Sequence, residues 1–336
     1  MTFANTGVNH TTKKGLESVQ EEMGKLSLSL PVLPTSFNEH LVTLAPGEVR
    51  KDTISLSLPV HQQTLHDLFY FAGEGARGTQ VLRLISEEKL SDSESGSPAQ
   101  VVPHRVRGRI KLEEGALVKF VLVRTLSYPS PTEVDLELDL EPKAQIDLCL
   151  LNLGVGDDQM HIRTNLEREA EVRIKSLYLG VDSDHLDYNY EMNLYGQQSK
   201  AELKARGVLM DEAEKIFRDT IDFKSGSHGS VGDEEELVTL LSPKAKNISV
   251  PLLLCREDDV QGNHAASIGR LDDRLLFYLM SRGLPLGQAR EFLLMAQAQE
   301  VLDEVKAVDP DLEAALKDLL RERLHEASAT SPADAL

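Results

Sequence analysis

The chain has 336 residues, 36 of them Lys or Arg and 55 Asp or Glu, for a formal net charge of −19. That balance argues against a nucleic-acid binder, which needs a basic face for the phosphates, and against a polybasic membrane surface. No apolar run approaches the ~18 residues of a membrane helix, and the start, MTFANTGVNHTTKK, lacks the apolar core of a signal peptide, so a soluble cytoplasmic protein is expected.

Residues 11–26 are expected to form a short amphipathic helix, with Leu16, Val19, Met23 and Leu26 on one stripe. The Pro-bearing stretch SLPVLPTSF breaks it. The Ser-rich segment 91–100, SDSESGSPAQ, reads as a loop. From 101 to 255 the pattern is β. In VDLELDLE, Val134, Leu136, Leu138 and Leu140 face one way, and Asp135, Glu137, Asp139 and Glu141 the other. Similar runs recur through KIFRDTIDFKSG, ELVTLL and SVPLLLC, separated by short polar turns. A sandwich, a barrel or a β-solenoid fits such strands. The length of the array favours the solenoid, although no strict repeat motif is visible.

After Arg270 the period becomes helical. Leu275, Leu276, Leu279 and Met280 share one side of a helix that ends at Gly283, a natural C-cap. A second helix follows Pro285, with Ala289, Phe292, Leu293 and Ala296 as its stripe. Asp309-Pro310 then reads as an N-cap and first helical residue, ahead of Leu312, Leu316, Leu319, Leu320 and Leu324. The expected divisions are an N-terminal segment 1–45, a β core 46–270, a helical segment 271–326 and a flexible tail 327–336.

Catalytic motifs are absent. There is no nucleotide phosphate loop, no nucleophile elbow, no H-E-x-x-H and no dinucleotide fingerprint, so no enzyme is expected. The Gly-rich stretches at 154–158 and 225–236 lie between β runs and read as turns. The two cysteines, Cys149 and Cys255, cannot build a closed four-cysteine site, and each is expected to be a small buried hydrophobe. His161, His185 and His228 fit surface or turn positions. His264 stands out, flanked by the small residues Gly262, Ala265, Ala266, Ser267 and Gly269, which permit close approach of another backbone. Cys255 and His264 could hold a thiophilic metal, but one pair is too few and a second chain must complete it. The acidic run containing Glu235 and Glu236 reads as a solvated turn, with metal or sulfur-relay chemistry as the alternative.

The segment DDVQGNHAASIGRLDDRLLFYLMSRGL resembles the signature of the SufB/SufD family, the scaffolds of SUF-type iron–sulfur cluster assembly. The preceding VLMDEAEKIFRDTIDFKSGSHGSVGDEEELVTLLSPKAKNISVPLLLC looks like the last rungs of the same family. The resemblance is strong over roughly 205–305, by pattern only over 45–205, and absent from 1–45. It implies a right-handed parallel β-helix flanked by helical segments. It implies docking of a SufC-like ABC-type ATPase on the region of Phe277, Tyr278, Ser281, Arg282 and Gly283. It also implies pairing of two scaffolds through the ends of their β-helices, with His264 at or beside that interface. A transient iron–sulfur cluster would be built there from a sulfur donor and passed to apo-proteins. A flavin, as reported for some family complexes, is not readable here.

Two departures matter. Ala265 stands where SufB proteins have Glu directly after the histidine, and Gly262 where SufD proteins often have Cys. The histidine carries over and the thiol does not, which leaves Cys255 as the substitute, with Glu235 and Glu236 as acidic candidates. The chain looks like a compact form that pairs with itself, although a SufB-like paralogue remains an alternative partner. Two competing readings are a structural ATPase adaptor without cluster ligands and a β-helix enzyme acting on polysaccharide through paired carboxylates.

Overall fold

The computed structural model describes residues 36–59, 61–86 and 102–330, with side chains to 325. The expected helix at 11–26 and the loop at 91–100 lie outside them. Among the described residues sixteen strands, from β1 (Ser36–Leu44) to β16 (Val260–Gly269), form two eight-stranded sheets, one of odd-numbered and one of even-numbered strands. Every pairing is parallel, for example Ser36 with Thr64 and Glu171 with Lys200. This is the expected parallel β-helix, with each odd–even pair of strands making one rung.

The alternation decides what lies inside. Val134, Leu136, Leu138 and Leu140 are fully buried between the sheets, while Asp135 and Glu137 face out. Leucine, valine, isoleucine and a few aromatics fill the interior along most of the stack. Within a rung, tight turns link the two sheets. Gly75, Gly115, Lys143 and Glu169 occupy their third positions with φ between 60° and 70°. A buried alanine follows each, Ala76, Ala116, Ala144 and Ala170, and its N–H closes the turn.

The outer faces of the sheets differ. On the even-numbered sheet, Val121, Val123, Cys149, Leu151, Leu177 and Leu179 point outward and are covered by two helices. Three helices follow the strands: α1 (Asp273–Ser281), α2 (Leu286–Val308) and α3 (Pro310–Thr330). Helix α2 lies across the rungs on Leu294, Ala298, Val301, Leu302 and Val305. Its Glu300 and Glu304 meet Lys119, Lys175, Lys204 and Arg206 from three strands. Its buried face corrects the expected stripe, because Phe292 and Ala296 are exposed and only Ala289 of that set is fully buried. Asp309 accepts from the N–H of Leu312 at the start of α3, whose Leu312, Leu316, Leu320 and Leu324 are buried as expected. Among the described residues no helix is long and apolar enough to cross a membrane.

Candidate functional site

Near the C-terminal end the interior changes character. Strands β13 (Glu214–Phe223) and β14 (Ser230–Leu240) make the penultimate rung, and β15 (Lys246–Cys255) and β16 the last. Alternation turns Lys215, Phe217 and Asp219 of β13 inward, and Glu234 and Glu236 of β14 inward to meet them. Four ionisable side chains therefore share a space that leucines fill elsewhere.

Lys215 and Glu236 form a fully buried ion pair. The ammonium lies 4.3 Å from the ring centre of Tyr178 and 4.2 Å from that of Phe217, and both faces attract a cation. Tyr178 donates to Glu236 Oε1 at 3.3 Å, and Ser249 donates to its other oxygen. Gly207 makes room for Tyr178, since a Cβ there would stand 1.9 Å from the ring. Burial pulls Lys215 down to about 8 against the opposing pull of Glu236. Burial, with the Glu236 carboxylate beside it, pushes Asp219 up to about 7.

One rung further on, His264 stands in register with Glu234. Its Nδ1 contacts Glu234 Oε2, while the ring keeps about a third of its surface open to solvent. Asp219 completes the group, for ligand atoms of Asp219, Glu234 and His264 lie within 4.8 Å of one another. Glu234 is 4% exposed, and among the described residues its Oε1 has no hydrogen-bond partner. Two carboxylates and an imidazole form a donor set for a divalent cation.

No further rung among the described residues covers the last one. β15 and β16 are sheet edges, whose free backbone groups can template another chain. Leu253 on β15 and Ile268 on β16 share the inward columns with His264 and are exposed at this open end, whereas Ile248, Val250, Leu252 and Leu254 are exposed on the outer face of β15. Exposed apolar side chains gathered on an edge strand are a feature of interaction surfaces.

The other anticipated residues divide. Glu235 points to the outer face, where Arg206 holds it at 2.7 Å, so strand parity separates it from His264. Glu236 points inward but is taken up by Lys215. Cys255 is exposed and belongs to the inward column of β15. Gly262 abuts Leu253, so His264 faces the Pro251 position. Cys255 lies four residues beyond Pro251, about 13 Å along a strand rising ~3.3 Å per residue. Phe277 and Tyr278 are exposed on α1, which buries none of its side chains. Arg282 stacks 5.2 Å from the Tyr278 ring centre, Ser281 donates to the Tyr278 carbonyl at 2.7 Å, and Gly283 turns the chain at φ +96°. Sequence reasoning missed Glu234, Asp219 and Lys215. Counting strand parity from His264 back one rung would have found Glu234.

A family model described as "SUF system FeS cluster assembly, SufBD core domain" matches residues 69–297. The iron–sulfur cluster assembly protein SufD of Bacillus subtilis is 30% identical over 163 residues, covering 48% of this chain and 37% of that protein. An iron–sulfur cluster assembly SufBD family protein of Pyrococcus horikoshii is 29% identical over 263 residues, covering 76% of this chain and 57% of that protein. The chain thus spans well under two thirds of the length of either relative.

Proposed function

The chain belongs to the SufB/SufD family of the SUF system, and from that premise we propose that it is a non-enzymatic scaffold on which an iron–sulfur cluster is assembled at the open end of the β-helix. The observation that carries this reading is His264 on the last rung, register-paired with Glu234 of the rung before it and left uncovered at the open end together with Leu253 and Ile268. A scaffold must release its cargo, and a few ligands on an open rim suit release better than a closed cage does. A second scaffold, either another copy of this chain or a SufB-like paralogue, covers that rim. A two-fold pairing of identical chains brings two copies of each ligand together and supplies the donors a single chain lacks.

The exposed face of α1 around Phe277 and Tyr278 is the docking surface for a SufC-like ABC-type ATPase. No phosphate loop occurs in the chain, so ATP turnover belongs to that partner. The sulfur donor and the apo-protein acceptors approach the same open end.

The test is to purify the chain with its ATPase anaerobically, supply iron and sulfide, and compare wild type with His264→Ala at equal ATPase content. Cluster absorbance and acid-labile sulfide should fall several-fold. Unchanged cluster formation would remove His264 from the site and leave the chain as an ATPase adaptor.

A further inference from the structure

We propose that Asp219, Glu234 and His264 form a mononuclear site for ferrous iron that fills without sulfide. The inference rests on the scaffold reading for its place in assembly, but not for its chemistry. Three observations support it independently of one another.

The first is geometric. These three side chains come from three strands and two successive rungs, yet their ligand atoms gather within 4.8 Å. An ion bound about 2.1 Å from each oxygen or nitrogen would need only small side-chain adjustments to draw them in. Among the described residues this is the one group of three such side chains so placed.

The second is electrostatic. Asp219, Glu234 and Glu236 bring three carboxyl groups into the interior, and among the described residues Lys215 is the one ammonium buried with them. Lys215 is engaged by Glu236, and Glu234 is met by His264 through one oxygen. Buried carboxylates need a compensating charge or full hydrogen bonding. Glu234 is met by His264 at one oxygen only, and its Oε1 is buried and bonded to nothing among the described residues. A divalent cation supplies the missing charge and coordinates that oxygen directly.

The third is the donor chemistry. The set is two oxygens and one imidazole, with no thiolate. Cys255 is displaced along β15, and Cys149 lies outside the solenoid beneath α2. Carboxylate and imidazole donors suit a single ferrous ion, whereas iron–sulfur clusters are held mainly by thiolates. Three protein ligands also leave positions open toward the solvent side of His264, so the ion stays exchangeable. Iron would therefore arrive as an ion on oxygen and nitrogen, and sulfide would join it afterwards.

The test uses the full chain, metal-free and anaerobic, with Fe(II) or Co(II) as the probe and no sulfide present. One ion per chain should bind, and X-ray absorption at the iron edge should show a first shell of oxygen and nitrogen without sulfur. Glu234→Gln and Asp219→Asn, which preserve side-chain shape, and His264→Ala should each weaken binding at least tenfold. Cys255→Ser and Glu235→Gln should bind as wild type does. No stoichiometric binding, a sulfur shell on the wild-type chain, or undiminished binding in Glu234→Gln and Asp219→Asn would each overturn the site. The absorption measurement needs no variant, so a variant that fails to fold does not rescue the claim. If cluster assembly with the ATPase proceeds while metal binding ignores these variants, this inference fails and the scaffold reading stands. If the ion binds as described but cluster assembly ignores His264→Ala, the scaffold assignment of that residue fails and the metal site stands.

Discussion

Lys215 and Glu236 form an ion pair across the interior of the solenoid, with neither side chain exposed. Removing one partner strands the other charge without water, and such losses cost about 3–5 kcal/mol. Lys215→Met should therefore lower the urea midpoint strongly. The double variant Lys215→Met/Glu236→Leu should recover most of the loss, because a well-packed apolar pair replaces a buried ionic one at little net cost. A double variant as unstable as the single one would mean that Lys215 acts through packing on Tyr178 and Phe217 rather than through its charge.

The two thiols should separate cleanly by reactivity. Cys149 lies under α2 with its Sγ 3.7 Å from the Val301 carbonyl, and burial pushes its thiol up to about 12. Cys255 is exposed on the last strand. Because the thiolate is the reactive form, Ellman's reagent should titrate one thiol per native chain and two in denaturant. Cys255→Ser should abolish the native reaction. A fast second thiol in the native wild-type chain would mean that α2 does not stay docked over Cys149.

Much of the fold was legible in the pattern of the strands. VDLELDLE alternates because one face packs in the solenoid, and the leucine stripe of α3 faces inward for the same reason. The repeat escaped notice because its punctuation is conformational. Gly75 and Gly115 hold the left-handed turn position in two rungs, Lys143 and Glu169 in the next two and Gln198 after them, and the buried residue that follows changes from alanine to Ser199. Register steps of 28 and 26 residues, broken by one of 40 between Thr64 and His104, blur the period further. The candidate site was half legible. His264 was visible from its small neighbours, whereas Glu234 was hidden in a run of three glutamates whose members differ only in the direction the strand turns them. Phe292 misled because a helix lying on a sheet buries the face toward the sheet, and aromatic content does not reveal which face that is.

Acid should weaken the N-terminal rungs first. His66 and His104 point into the solenoid on neighbouring strands, and Thr64 meets His104 Nδ1 at 2.8 Å. Burial, with His40 and His104 nearby, pulls His66 down to about 4, and burial with Arg124 does the same to His104. Both folded-state values lie below the unfolded value of 6.5. Between those limits the unfolded chain binds protons that the folded chain refuses, so stability falls as pH drops from 6.5 toward 4. Above 6.5 these groups contribute no pH dependence. Melting temperature should therefore decline over that window, and His66→Asn/His104→Asn should flatten the decline. An equally steep decline in the double variant would assign the acid sensitivity to carboxylates instead.

Helix α1 offers the sharpest test of partner docking. Phe277 is 74% and Tyr278 52% exposed, and no side chain of the helix is buried. Surface substitutions away from caps and cores usually change stability by less than about 0.5 kcal/mol. Phe277→Glu and Tyr278→Glu should therefore leave the melting temperature within a degree or two of wild type. The same changes place a charge at the centre of an apolar contact, where aromatic anchors typically contribute 2 kcal/mol or more, roughly thirtyfold in affinity. Capture of a SufC-like ATPase on size-exclusion chromatography should fall accordingly, while Co(II) uptake on Asp219, Glu234 and His264 should not change. Retained ATPase capture in both variants would move the docking surface away from α1. Loss of capture together with a lowered melting temperature would show that Phe277 and Tyr278 support the helical segment itself.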